Sequence, residues 1–212
     1  MNTRRAELRG LPANMLVRGR KLVVVGAGRI ATRKIAPLLD LAANVVVVAP
    51  EATDDVRTWA AAGELVWHQR GFGAADLDDA WLAFTATGDP SVDAAVFAAG
   101  EARRVWVNSA DDPENCSFTL VSVIRRSDLV LTVGTGGRSP ALAAHLRRQL
   151  EAEIGPEYET LLDLLSDARE RLRAGGRSSE DADWQKAFDA GIVEMVRAGR
   201  IDDAEELLNT CL

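Results

Sequence analysis

With two cysteines and two histidines in 212 residues, the chain is poor in the side chains that most often bind metals or attack carbonyl groups. Cys116 and Cys211 stand far apart and belong to no CxxC or zinc-ligand spacing. A disulfide framework, a zinc cluster and a Cys/His nucleophile pair are therefore not written here. His68, in or just after an expected strand, and His145, on an expected helix, read as structural residues. No stretch approaches the ~18 apolar residues of a membrane span, and the basic, polar start Met1–Arg9 has no apolar leader core, so neither a membrane nor export is expected. A basic excess is missing too. Residues 151–212 carry 16 acids and 7 bases, a net of −9; against −7 for the whole chain this leaves +2 on residues 1–150. That balance argues against a nucleic-acid partner while leaving room for a locally basic ligand site. Internal repeats and low-complexity stretches are also lacking, and a cytoplasmic protein is expected.

What is present is a strand–helix alternation. Leu22–Val25 and Val45–Val48 are apolar runs of the kind buried on both faces of a parallel sheet. Leu65–Trp67, Trp81–Phe84 and Val105–Val107 are further strand candidates, and 30–42, 52–62 and 91–103 read as helices. Pro37 sits mid-helix, where it is expected to kink the chain. This describes an α/β, Rossmann-like doubly wound sheet. After Pro113 the grammar changes. Phe118–Ile124 and Leu129–Val133, joined by Arg125-Arg126-Ser127-Asp128, predict a hairpin, followed by helices at 140–153, 157–174, 181–198 and 201–210. Three regions are expected: 1–112 for dinucleotide binding, 113–150 as a hairpin-plus-helix segment, and 151–212 as a helical C-terminal domain.

Two glycine turns carry the chemistry. Gly26-Ala27-Gly28-Arg29-Ile30-Ala31 follows a buried strand and opens a helix, the context a GxGxxA pattern requires. Gly26 permits the tight turn, Gly28 the approach of a pyrophosphate, and Ala31 close helix–strand packing. Glu51 lies about 20 residues further on, where an acid accepts from a ribose hydroxyl; no arginine stands at that strand end for a 2′-phosphate, which favours NAD over NADP. The second turn, Thr135-Gly136-Gly137-Arg138-Ser139-Pro140, places an N-cap serine and an N1 proline after glycines and beside an arginine. It suits a bound carboxylate or phosphate, and equally a plain capped helix. Asn108-Ser109-Ala110-Asp111-Asp112-Pro113 falls at the carboxyl end of the fifth strand, where ligands bind in such folds. One carboxylate there can act as a general base or metal ligand; the other reads as a turn residue.

GAGRIATRK (Gly26–Lys34), NSADDPENCSF (Asn108–Phe118), RRSDLVLTV and GTGGRSPALA (Gly134–Ala143), in that order, resemble the precorrin-2 dehydrogenase/sirohydrochlorin ferrochelatase family of siroheme biosynthesis. The resemblance covers about residues 14–175. It implies NAD-dependent oxidation of precorrin-2, a substrate rich in carboxylates, to sirohydrochlorin; insertion of ferrous iron as a second substrate, which only some members perform; and a homodimer interlocked through the hairpin segment. By position it implies Asp111 as the catalytic acid–base group, with Asp112 left to the turn. Dinucleotide contacts fall on Gly26, Gly28, Arg29, Ile30, Pro50, Glu51, Ala86 and Thr87. Substrate contacts fall on Asn108, Thr135, Gly136, Arg138 and Ser139, with Arg125 and Arg126 near. The chain departs from the family in Ala27 for a glycine, Val121 for a proline and Thr135 for a serine, and it carries no methyltransferase region, as in a stand-alone form. An NAD-sensing regulatory module is the alternative from another class. A dehydrogenase for a different small anion is a third, but it lacks a well-placed His or Lys.

Overall fold

The computed structural model describes residues 10–110 and 112–212. The chain divides between Leu120 and Val121 into two compact units.

The first unit is built on five parallel strands, β1 (Lys21–Val25), β2 (Asn44–Val48), β3 (Val66–His68), β4 (Leu82–Thr85) and β5 (Trp106–Ser109), in the order β3-β2-β1-β4-β5. β1 pairs with both β2 and β4, so Val25 lies beside Val48 on one side and Thr85 on the other, and Thr85 lies beside Ser109. The carboxyl ends of four strands are thereby level, and the strand order reverses between β1 and β4. Such a reversal opens a crevice at the carboxyl edge.

Strand alternation explains the two faces. Leu22, Val24, Val45, Val47, Leu82 and Phe84 point to one side, where Ala31, Ile35 and Leu38 of helix α1 (Arg29–Asp40) and Val56 of α2 (Asp54–Ala61) cover them. Val23, Val25, Val48, Ala83 and Val107 point to the other and meet Val96 of α3 (Pro90–Arg103). Each fully buried aliphatic side chain in these layers contributes about 1.5–3 kcal/mol. The α/β doubly wound sheet is thus the fold observed. Helix α1 runs through Pro37 to Asp40, with the proline ring on its exposed face. It ends two residues before the expected 42, because Ala42 takes a φ of 52°.

Gly100 makes the α3–β5 contact possible. A Cβ there would sit 2.9 Å from the carbonyl oxygen of Val105 and closer still to the Val107 side chain. Helix propensity alone favours Gly100→Ala by about 1 kcal/mol, but a rigid backbone contact cannot yield. We expect net destabilisation of about 2–3 kcal/mol in a denaturant titration; a more stable Gly100→Ala protein would refute the packing argument.

A bidentate ion pair pins the segment after β3. Arg70 reaches both oxygens of the buried Asp76 at 2.5 and 2.8 Å, and the Gly73 N–H adds a third bond at 2.9 Å. The side-chain hydrogen bonds from Arg70 lead in holding the Asp76 carboxyl below its usual range; burial opposes them, and Gly73, the Arg70 charge and His68 assist. The folded state therefore binds this proton less readily than the unfolded chain. The stabilisation is present above the ordinary carboxylate pKa of about 3.9 and is lost as pH falls through the lower folded value. Asp76→Asn should flatten the acid limb of a stability–pH profile while changing its shape little above pH ~6.

The second unit starts with the antiparallel pair β6 (Ser122–Arg126) and β7 (Leu129–Val133), turned at Ser127 with φ 50°. Helices α4 (Pro140–Glu153), α5 (Glu157–Ala174), α6 (Trp184–Asp189), α7 (Ile192–Arg197) and α8 (Ile201–Asn209) follow. The Arg126 guanidinium donates to the carbonyls of Glu151 and Ile154, both at 3.1 Å, which ties the hairpin to the end of α4. A separate core forms from Leu161, Leu164 and Ala168 of α5 with Ile192, Val196 and Leu208. Two expectations are corrected. The single helix over 181–198 is two short helices, because Gly191 between them adopts a φ of 83° that ends one and starts the next. The first hairpin strand starts at Ser122 rather than Phe118, since Phe118 instead packs edge-on against Phe84, centroids 5.7 Å apart.

Candidate functional site

The glycine turn after β1 is shaped by its neighbours. Gly26 donates its N–H to the Val48 carbonyl at 2.9 Å and holds φ +99°, a region that disfavours any side chain. A Cβ there would lie 2.5 Å from the Ala86 oxygen. Gly28 differs: its φ of −79° suits any residue, and a Cβ would meet nothing within 4 Å. The space before it is open. Gly28 is also the N-cap of α1 and brings no side chain to the helix's first N–H groups. Backbone donors at a helix mouth, open space in front and a positive dipole end are what a pyrophosphate requires.

The turn is braced from β2. The Thr53 N–H donates to the Ala27 carbonyl at 3.0 Å, and the Thr32 and Thr53 hydroxyls lie 2.9 Å apart. This fixes the segment that carries Pro50 and Glu51, both exposed at the carboxyl edge. Arg57, the nearest cation to that segment in sequence, is held against it: its Nε donates to the Ala52 carbonyl at 3.0 Å, and its guanidinium stands 6.0 Å from the centroid of the Trp67 ring. Arg29 and Ile30 are exposed at the helix mouth.

At the end of β4, Ala86 donates its N–H to the Val25 carbonyl at 2.9 Å. Both threonines flanking it, Thr85 and Thr87, donate hydroxyls to one oxygen of the buried Asp93 in α3, the Thr87 bond being 2.7 Å. A buried carboxylate thereby holds Ala86 and Thr87 against Gly26. The sequence assigned Asp93 no role; its signal was a carboxylate three residues before Val96 on the buried side of an alanine-rich helix.

At the end of β5, Asn108 is buried and engaged at both ends of its amide. Its Oδ1 accepts from Lys34 Nζ at 3.0 Å, and its Nδ2 donates to the Phe118 carbonyl at 3.0 Å. Asp111 lies outside the described residues. Asp112 serves the turn: its carboxylate accepts from the Glu114 N–H at 3.2 Å and the Asn115 amide at 2.7 Å. Among the described residues, no cluster of three or more His, Cys, Asp or Glu is arranged to hold a metal ion.

The second glycine turn belongs to the other unit. Gly136 and Gly137 hold φ of 58° and 71°. The Thr135 hydroxyl accepts from the Ser139 N–H and donates to the Ser139 carbonyl, both at 3.2 Å. Ser139 Oγ accepts from the Leu142 N–H at 3.2 Å as the N-cap of α4. Both hydroxyls therefore build the turn, and Arg138 and Gly136 are left exposed on its surface. The structure thus brings Gly26, Gly28, Arg29, Ile30, Pro50, Glu51, Ala86, Thr87 and Asn108 to one sheet edge. Thr135, Gly136, Arg138 and Ser139 share a separate helix mouth.

A family model described as "Putative NAD(P)-binding" matches residues 13–122, the stretch that contains the whole five-stranded sheet. The chain belongs to this NAD(P)-binding family. Its glycine cradle, uncapped helix mouth and braced β2 segment fit a dinucleotide on geometry alone. The chain is also 34% identical to the siroheme synthase of Nitrosococcus oceani over 204 residues, 95% of this chain and 44% of that protein. It is 36% identical to the siroheme synthase of Tolumonas auensis, over 92% of this chain and 42% of that one. It thus spans less than half the length of these curated relatives. Among solved structures, SirC, a precorrin-2 dehydrogenase, superposes with a TM-score of 0.71 at 23% identity, covering 95% of this chain and 98% of the other. Both units are covered by that likeness of fold. Among the described residues, no helix is long and apolar enough to cross a membrane.

Proposed function

We propose that the chain oxidises precorrin-2 to sirohydrochlorin with NAD, in the cytoplasm, as a step of siroheme biosynthesis. The observation that carries this is the union of a dinucleotide cradle at Gly26–Ala31 with sequence kinship to siroheme synthases over 95% of the chain.

When bound, NAD supplies the acceptor for a hydride. Gly26, Gly28 and the first N–H groups of α1 hold its pyrophosphate, Glu51 accepts from a ribose hydroxyl, and Pro50, Arg29, Ile30, Ala86 and Thr87 line its path. NAD is preferred over NADP because no arginine directly follows β2 in the sequence. Loss of two hydrogens from the substrate also releases a proton, and Asp111 receives it or orients the carbon that loses it. Asn108, held by Lys34 at the end of β5, is the substrate contact on that strand. Arg138 and the glycine turn at Thr135–Ser139 attract the substrate's carboxylates, because a cation beside a helix mouth favours anions. The working form is a homodimer joined through the hairpin segment. Ferrous iron is a further substrate candidate at the same acid, since a carboxylate also accepts pyrrole protons as a metal enters.

The test is anaerobic. Purified protein, enzymatically generated precorrin-2 and either NAD or NADP are followed by the visible spectrum of sirohydrochlorin, with and without ferrous ion. NAD-dependent formation of sirohydrochlorin supports the dehydrogenase, and metal-accelerated loss of its spectrum adds the chelatase. Untouched precorrin-2 with NAD still bound overturns the enzyme assignment in favour of an NAD sensor.

A further inference from the structure

The end of β4 stands against the dinucleotide turn. A Cβ on Gly26 would lie 2.5 Å from the Ala86 carbonyl oxygen and 3.2 Å from the Thr87 nitrogen. Ala86 and Thr87 are therefore the wall of the turn on the side away from β2. One buried carboxylate holds that wall. Thr85 and Thr87, which flank Ala86, both donate their hydroxyls to Asp93 Oδ1 in α3, and Thr85 and Asp93 are themselves buried. The Thr87 hydroxyl has no proton to spare. Its oxygen accepts from the Asp89 N–H at 3.0 Å, and its proton goes to Asp93 at 2.7 Å, the Asp89 carbonyl being further off at 3.2 Å. A hydroxyl donates once, so this side chain braces the loop and is spent there. The opposite wall has a brace of its own: the Thr53 N–H donates to the Ala27 carbonyl, and the Thr53 hydroxyl meets that of Thr32.

We infer that Asp93 is a positioning residue for the nicotinamide half of the cofactor. With the pyrophosphate on the turn after β1 and a ribose on Glu51 after β2, a dinucleotide crosses the reversal of strand order, and its second half lies over β4. The two halves then rest on separately braced walls, the adenosine side on the Thr53 bonds and the nicotinamide side on the Asp93 bonds. Asp93 is assigned no contact with cofactor or substrate and acts through Ala86 and Thr87. This rests on the placement of the dinucleotide on Gly26–Ala31 and Glu51 proposed above.

The experiment is calorimetric titration of the full chain with NAD and with ADP, beside a thermal scan of each protein. ADP carries the adenosine and the pyrophosphate without the nicotinamide half. Asp93→Ala is expected to weaken NAD binding about 10-fold, a coupling usual within one hydrogen-bond network, while ADP stays within about 2-fold. Asp93→Asn, whose amide oxygen can still accept both hydroxyls, should recover part of the loss. Thr87→Val should weaken NAD by a similar factor. Combined with Asp93→Ala it should add no more than about 2-fold, because both changes break one brace. The alanine and valine variants should also melt lower, since each leaves a buried polar group unpaired; a merely structural role would show that effect alone. A lowered melting temperature with NAD affinity within about 2-fold of wild type overturns the inference. Equal weakening of NAD and ADP does so too, as do fully additive losses in the double variant, which would put the Thr87 hydroxyl on the cofactor itself. Wild-type protein that binds neither NAD nor ADP is a different result: it removes the placement of the dinucleotide. Should Asp93→Ala fail to fold, Asp93→Asn and Thr87→Val support the same comparison.

Discussion

On the proposed function, Asp111→Asn should lower kcat for precorrin-2 oxidation by about 10²–10⁴-fold, the range for losing a positioned general base, with NAD affinity and thermal stability close to wild type. The size of this expectation follows from the scarcity of substitutes. His68 touches Arg70 at 3.3 Å beside the Arg70–Asp76 pair, Asp93 is consumed by two threonines, and Asp112 is bound to Glu114 and Asn115. Each of these groups is already engaged in bracing the fold. Asp112→Ala supplies the contrast. It should cost about 1 kcal/mol of stability as a lost cap and at most a few-fold in kcat. Stopped-flow spectra of sirohydrochlorin formation measure both. An Asp111→Asn rate within 3-fold of wild type would refute the role, and Asp112→Ala losing more than Asp111→Asn would reassign it.

Gly26→Ala should abolish measurable NAD binding, a loss of at least about 100-fold, and destabilise the fold by about 2–4 kcal/mol. Two costs add at this position. A side chain at φ +99° is strained, and its Cβ would press on the Ala86 carbonyl, a backbone atom that Val25 and the Thr85–Asp93–Thr87 bonds hold in place. Gly28→Ala separates the two effects. Its backbone suits alanine and the added carbon meets no protein atom, so the melting temperature should hold while the carbon occupies the space a pyrophosphate needs. Calorimetric titration with NAD beside a thermal scan distinguishes them. A Gly28→Ala protein that binds NAD normally would count against the cradle.

Much of the first unit was legible because its strands are uninterrupted valine runs and its glycine turn stands where a strand meets a helix. The reversed strand order and the identity of each face were not, since both are set by which strand pairs with which. Local pattern failed where long-range packing won. Phe118 continues an apolar run and so read as strand, yet the Phe84 ring claims it. Residues 181–198 have helical composition throughout, but Gly191 can adopt a left-handed φ at little cost and the chain uses that to turn. Around the site, residue type and position alone single out Glu51, an acid after the second strand, and Arg138, a cation beside a glycine turn. Lys34 and Asp93 do not stand out in this way, because their partners lie 74 and 6–8 residues away. One hint for Lys34 did exist: it falls between Ala31, Ile35 and Leu38 on the buried stripe of α1, an odd place for a cation.

Among the described residues, the apolar clusters respect the division at Leu120 and Val121: those flanking the sheet draw on residues up to 118, and that of the helical region on 158–212. Cooperativity in unfolding comes from a shared core. Differential scanning calorimetry should therefore resolve two heat-absorption peaks. NAD should raise only the one that belongs to the sheet, by mass action on the state that binds it. Gly100→Ala should lower that same peak and leave the other where it was. A single melting temperature would then describe neither half of the molecule.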